Sequence, residues 1–298
     1  MPALQALISR PRAMAVAGAL VIAFSAILVR LAEQPPSTAA FFRCAYAVPL
    51  LALLARREDR RLGARPARGR RFAALAGVLF AADLIFWHHA IADVGAGLAT
   101  VLGNLQVALV PFLAWALLRE HPGRRVLVTL PVVVVGIVLI SGALEHGAYG
   151  ASPTRGAVFG VLTGLSYAGF ILLLRESGAD LRRPAGPLFD ATAVAAVVSL
   201  VAGAVLGEDR LVPSWPAHGW LLLLALSSQV LGWMLITSSL PRLPAALTSV
   251  LLTIQPVGSV LLGIAIFGEA PSALQVLGVA AILSGLVLAT RVRRPRLA

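Results

Sequence analysis

The chain has 298 residues, of which 59% are hydrophobic and only 13% charged, with a mean hydropathy of +0.89. A soluble domain carries about 45–50% apolar and about 25% charged residues, so this composition excludes an ordinary soluble domain and indicates a polytopic membrane protein. All 25 basic residues are arginine and the net charge is +12, but the arginines sit in short runs between apolar stretches, which argues for membrane topology and against a nucleic-acid partner.

A membrane-spanning helix needs about 20 mostly apolar residues. Ten stretches qualify, in chain order 13–32, 38–55, 72–92, 95–118, 126–144, 157–174, 187–206, 218–240, 245–267 and 273–290. They are continuous rather than alternating, so helices are expected instead of barrel strands. The first run, Ala13 to Val29, follows Arg10 and Arg12. It exceeds the ~7–15-residue core of a signal peptide and no small-x-small cleavage site follows it, so it is read as span 1. Cys44, in span 2, is the only cysteine, which excludes an intrachain disulfide and leaves the redox compartment open.

Arginine placement sets the orientation. With the N-terminus inside, the inner segments hold 21 arginines, whereas the outer ends and loops hold Arg30, Arg155 and Arg210. Both termini are therefore expected in the cytoplasm, in the inner membrane of the cell. The segment RREDRRLGARPARGRR (56–71) reads as a topology determinant, with contact to lipid headgroups as a lesser role. Arg43 lies inside span 2, about five residues from its outer end, and is expected to snorkel to the interface.

Span 3 contains LFAADLIFWHHAIAD (79–93). A charge near the middle of a span costs about 2.5–3.5 kcal/mol on insertion scales unless it faces protein or water. Asp83 and Trp87 are four apart and share a helix face, while His88 and His89 turn about 100° further round in successive steps. Two readings are open: buried partners that hold helices together, or a substrate or proton path. Adjacent histidines diverge and no HExxH or i, i+4 histidine pair occurs, so no metal site is expected. Nor does the sequence indicate a cofactor.

In span 4, Thr100 and Asn104 share a face, with Pro111 two turns on; Gln106 lies on another face and is expected to bridge to a neighbouring helix. Ser166 and Tyr167 fall in the middle of span 6. In span 8, Gln229 and Trp233 match Asp83 and Trp87 at a shift of 146 residues. The two tryptophans either bound a cavity, each on its own side, or belong to an interfacial aromatic belt. In span 9, Ser249 and Thr253 share a face with Pro256, and Gln255 lies off it. Proline frees backbone carbonyls that polar side chains or water then satisfy. Glu120 and Glu269 are read as boundary residues at helix ends.

Displaced by 149 residues, 97–122 falls on 246–271 without gaps. Gln106, Glu120 and Pro122 meet Gln255, Glu269 and Pro271, and further on Gly136 meets Gly285. Each repeat, 1–149 and 150–298, then holds five spans. Five is odd, so the second copy enters from the opposite side, and the fold expected is an all-α membrane protein of ten transmembrane helices in two inverted five-helix repeats.

With these features the chain resembles the EamA branch of the drug/metabolite transporter superfamily. The resemblance rests on the five-plus-five spans, on the RxxxAxPLLALLARR pattern from Arg43 to Arg57, and on the small-residue pattern of spans 4 and 9 ending at Glu120 and Glu269. It implies a carrier, with export favoured, for amino acids or other metabolites. A small-molecule substrate and the lipid bilayer are then the partners, and the oligomeric state is open. An intramembrane enzyme or a channel-like facilitator is the alternative, but no GxSxG, HExxH, P-loop or filter sequence is present, and the longest loop is 56–71.

Overall fold

The computed structural model describes residues 11–118, 124–177, 182–239 and 254–290. Every regular element among them is helical. Span 1 is Pro11–Ala23 followed by Ser25–Ala32, and it stops at Glu33, whose φ of 48° is left-handed. Span 2 is Pro36–Leu62, with Pro36 at its first turn, where a missing N–H costs nothing. It continues through Arg56 to Arg61, beyond the apolar stretch.

Spans 3 and 4 form one helical run, Ala67–Gly103, bent at Gly95 (φ 84°, ψ 171°), a conformation that favours glycine. Asn104 and Leu105 interrupt span 4 before Gln106–Leu118. Span 5 is Arg124–Ile140, span 6 Pro153–Ser177 and span 7 Ala185–Leu206. Span 8 begins as Ala217–Leu224, widens to a π-helix at Ala225–Gly232 and ends as Trp233–Ser239. The described part of span 9 is Ile254–Phe267, and span 10 is Ala273–Thr290. Among the described residues, six helical runs are long and apolar enough to cross a membrane by themselves; Leu127–Ile140, Ile254–Phe267 and Ala273–Leu288 are shorter. Ser249, Thr253 and Glu120 lie outside the described residues.

Apolar residues occur on both faces of the helices. Leu20, Leu53, Val78, Val135, Val201 and Leu261 are exposed. In water such a shell would aggregate, whereas lipid tails suit it. Inside, small residues let backbones approach, because lipid gives no hydrophobic drive for one helix to seek another. A Cβ on Gly278 would stand 2.7 Å from the Gly136 oxygen, and one on Gly232 would stand 2.7 Å from the Ile22 side chain.

The packing crosses between the halves. Span 2 lies on span 7, span 5 on span 10, span 1 on spans 8 and 9, and the run of spans 3 and 4 on spans 6, 7 and 9. Polar ties close the helix ends. At one end, Glu58 accepts the Ala185 and Gly186 N–H groups at 2.9 and 2.8 Å, and Arg65 pairs with both oxygens of Asp190. At the other, Glu208 accepts the Ser37 N–H and hydroxyl at 3.0 and 2.6 Å, and Arg155 pairs with both oxygens of Asp93. Part of the arginine-rich segment thus ties two helices together, in addition to any role in topology.

Candidate functional site

The residues singled out in span 3 separate along the helix. Asp83 is 7% exposed and Trp87 is buried, and both line a central cavity. His88 is one residue further round the helix. Its Nδ1 meets the Pro36 oxygen at 3.0 Å, and it lines a second cavity nearer the Glu269 end. His89 turns elsewhere: its Nε2 lies 3.3 Å from Glu208 Oε1 and its ring stacks on Phe159. The two histidines therefore divide between different neighbours, as their 100° steps require.

The second cavity is the larger, about 390 Å³ against about 60 Å³ for the central one. The central cavity is nevertheless the better candidate, because buried polar side chains from distant spans converge on it. Thr100 and Asn104 reach it from the interrupted stretch of span 4, Thr163 and Tyr167 from span 6, Gln255 from span 9 and Ser25 from span 1. Thr100 Oγ1 donates to the Ala96 carbonyl at 2.7 Å and Asn104 Nδ2 to the Thr100 carbonyl at 2.8 Å. Both bonds return to the helix's own backbone, and the irregular stretch at Asn104 and Leu105 lies where span 4 lines a cavity, as lipid forbids elsewhere.

Arg43 changes the reading most. It does not snorkel to an interface: it is 3% exposed and lines the central cavity. Its Nε donates to Gln229 Oε1 at 3.0 Å, Gln229 Nε2 donates to Thr192 Oγ1 at 3.1 Å, and the guanidinium lies 5.8 Å from the centre of the Trp87 ring. Its Nη1 is buried without a hydrogen-bond partner among the described residues. Span 2 lies against spans 7 and 8, so a position near the helix end in sequence is deep within the protein. Gln229 is fully buried behind Arg43 and is not itself in the cavity lining.

Trp233 lines the cavity from span 8, packed edge-on against Phe80, Tyr167 and Phe170. Trp87 and Trp233 thus share one cavity. Gln255 lines that cavity too, from off the face that Ser249, Thr253 and Pro256 share in sequence. Gln106 is buried away from the lining, and Ser166 is half-buried outside it. Sequence reading missed Thr163 and gave Arg43 another role. The available signal was that Arg43 alone among 25 arginines sits inside an apolar stretch rather than at its boundary.

At the Glu269 end, polar contacts tie span 1 to spans 4 and 9. Glu269, only 1% exposed at its side chain, accepts from Arg30 Nη1 at 2.5 Å and from the Ala96 and Gly97 N–H groups at 2.6 and 3.1 Å. Gly95, Gly97 and Gly263 make room for it: a Cβ on any of them would lie within about 3.2 Å of the carboxylate. What reads in sequence as a boundary residue joins spans 1, 4 and 9. No group of three or more metal-ligating side chains occurs among the described residues.

Comparison with known proteins finds a family, a relative and a structural neighbour among its matches. Residues 12–142 and 154–291 each match the EamA-like transporter family. An uncharacterised protein of Pseudomonas aeruginosa, PA1977, is 34% identical over 241 residues, covering 79% of this chain and 78% of that one. A crystal structure of another protein superposes with a TM-score of 0.60 at 18% identity, over 94% of this chain and 96% of that chain, a likeness of fold.

Proposed function

The chain belongs to the EamA-like transporter family, and from that premise we propose that it is a secondary carrier of small organic solutes, of the amino-acid or metabolite class, working as an exporter by alternating access. The two repeats are residues 1–149 and 150–298, ten helices in two inverted halves, with both termini in the cytoplasm and the Glu269 end facing out. The two matched stretches support this division into repeats.

The observation that carries the reading is the convergence of buried polar side chains from both halves on a cavity of about 60 Å³ between them. The cavity is small in this conformation, and an organic solute enters as the surrounding helices move. Spans 4 and 8 are irregular where they meet the cavity, as broken helices at the binding site of inverted-repeat carriers are.

Counterflow in proteoliposomes tests the proposal. A carrier preloaded with unlabelled solute accumulates labelled solute transiently and saturates. Linear, non-saturating flux without counterflow points instead to a channel-like facilitator and rejects the carrier.

A further inference from the structure

Charges at the arginine-rich end of span 2 do not cancel evenly. A cavity of about 220 Å³ opens there between the end of span 2, residues 64–70 and the start of span 7, and three arginines and two aspartates line it. Both aspartates are engaged. Asp190 takes a two-pronged bond from Arg65 at 2.8 and 3.1 Å. Asp59 Oδ1 stands between Arg65 Nε at 3.7 Å and Arg183 Nη1 at 3.6 Å. Glu58, the other acid of 56–71, is turned to the Ala185 and Gly186 N–H groups. Arg56 and Arg70 are left over. Arg56 is exposed and has no partner among the described residues. Arg70 is 66% exposed at its side chain and comes only within 4.0 Å of Asp190.

The rest of the wall is apolar. Ala52 and Ala55, from the last apolar turn of span 2, and the half-buried Phe189 of span 7 line the same cavity. Leu53, beside them in the chain, is 47% exposed. The cavity therefore sits where hydrocarbon-facing residues give way to the charged run, at the depth of lipid headgroups. A guanidinium presents a planar fork of N–H groups that suits phosphate, and a basic pocket between transmembrane helices at that depth suits an anionic headgroup. A soluble phosphate ester would use the same arginines but not the apolar wall.

We infer that this cavity binds an anionic glycerophospholipid, its phosphate between Arg56 and Arg70 and its acyl chain along Ala52, Ala55 and Phe189. Spans 2 and 7 belong to different repeats, so the bound lipid adds a bridge between them beside the one that Arg65 makes with Asp190. The inference goes beyond the carrier reading and does not depend on which solute is moved or in which direction. It requires only that the chain sits in a bilayer.

The test uses the purified full-length protein in a neutral detergent with three probes: dioleoylphosphatidylglycerol, dioleoylphosphatidylcholine and sn-glycerol 3-phosphate. Native mass spectrometry reads bound lipid, and thermal unfolding reads protection. Phosphatidylglycerol should bind at least about 10-fold tighter than phosphatidylcholine and should raise the unfolding midpoint. Arg56→Gln combined with Arg70→Gln should weaken phosphatidylglycerol about 10-fold. Arg57→Gln combined with Arg61→Gln removes the same charge from exposed positions outside the cavity, and should weaken it no more than about 2-fold.

Equal binding of the two lipids by the wild-type protein overturns the inference, whether or not the variants fold. Equal losses in the two double variants also overturn it, because a diffuse positive surface then does the work. Protection by glycerol 3-phosphate as strong as that by phosphatidylglycerol overturns the lipid in favour of a soluble phosphate ester.

Discussion

Glu58 and Glu208 lie 150 residues apart and do the same thing at opposite ends of one helix pair. Glu58, at the end of span 2, accepts two N–H groups from the start of span 7, at Ala185 and Gly186. Glu208, just beyond span 7, accepts the N–H and hydroxyl of Ser37 at the start of span 2. Each carboxylate sits where the helix dipole is positive and where orphan N–H groups need an acceptor. Exchanging the halves converts one contact into the other, and spans 1 on 8 and 3 on 6 are related in the same way.

Replacing either glutamate with alanine should therefore lower thermal stability by similar amounts, on the order of 0.5–2 kcal/mol as for other helix caps. The sites are at opposite ends of the pair, so the double variant should show nearly additive loss. Thermal unfolding in detergent measures both. A loss at one site several-fold larger than at the other would deny them equivalent roles.

The tie between Glu269 and Arg30 predicts an order of effects. Glu269 is almost fully enclosed while the Arg30 side chain is 33% exposed. Removing Glu269 strips the acceptor from Ala96 and Gly97 and from Arg30 together. Removing Arg30 leaves a carboxylate that still holds both N–H groups. An unmade buried hydrogen bond costs about 1–3 kcal/mol, so Glu269→Ala should destabilise by more than Arg30→Gln does. Unfolding midpoints of the two variants decide it, and the reverse order would mean that the guanidinium rather than the carboxylate organises this end.

Most of the architecture was legible in the sequence because lipid imposes length and apolarity on each helix, and because the repeat shows itself in Gln106 with Gln255. Asp83, Trp87, Thr100, Asn104, Tyr167 and Trp233 were legible as polar or amphipathic residues on faces that cannot favour lipid, and they do meet in one cavity. Arg43 and Glu269 were not. Each was near a helix end, where charge is cheap, and what buries them comes from far away in sequence. Gln229 is 186 residues from Arg43, and Ala96 is 173 residues from Glu269. No local pattern encodes such neighbours. Conversely, Gln106 and Ser166 carried the same polar signal as the lining residues but lie outside the lining.

The shared cavity gives the tryptophans distinct expected roles. Trp87 lies next to His88, which lines the cavity at the Glu269 end, while Trp233 joins Phe80, Tyr167 and Phe170 on a different wall. If each bounds the site on its own side, Trp87→Ala and Trp233→Ala should both change transport without changing membrane insertion. A water-soluble thiol reagent should then reach a cysteine placed at Thr163 more readily in both variants, from opposite sides of the membrane. Unaltered transport in both would assign them to packing.

Asp83 carries the last expectation. A buried carboxylate lining the cavity can hold either a proton or a cationic group of the solute, but not both at once. If the proton takes the place of the departing solute, an inward proton gradient should drive net export. Imposed pH gradients on proteoliposomes should then accelerate net movement by the wild-type protein. Asp83→Asn should lose that response, even at solute concentrations high enough to restore exchange, because the amide cannot release a proton. Net transport indifferent to the gradient in the wild-type protein would take Asp83 out of the proton path and leave it to the solute alone.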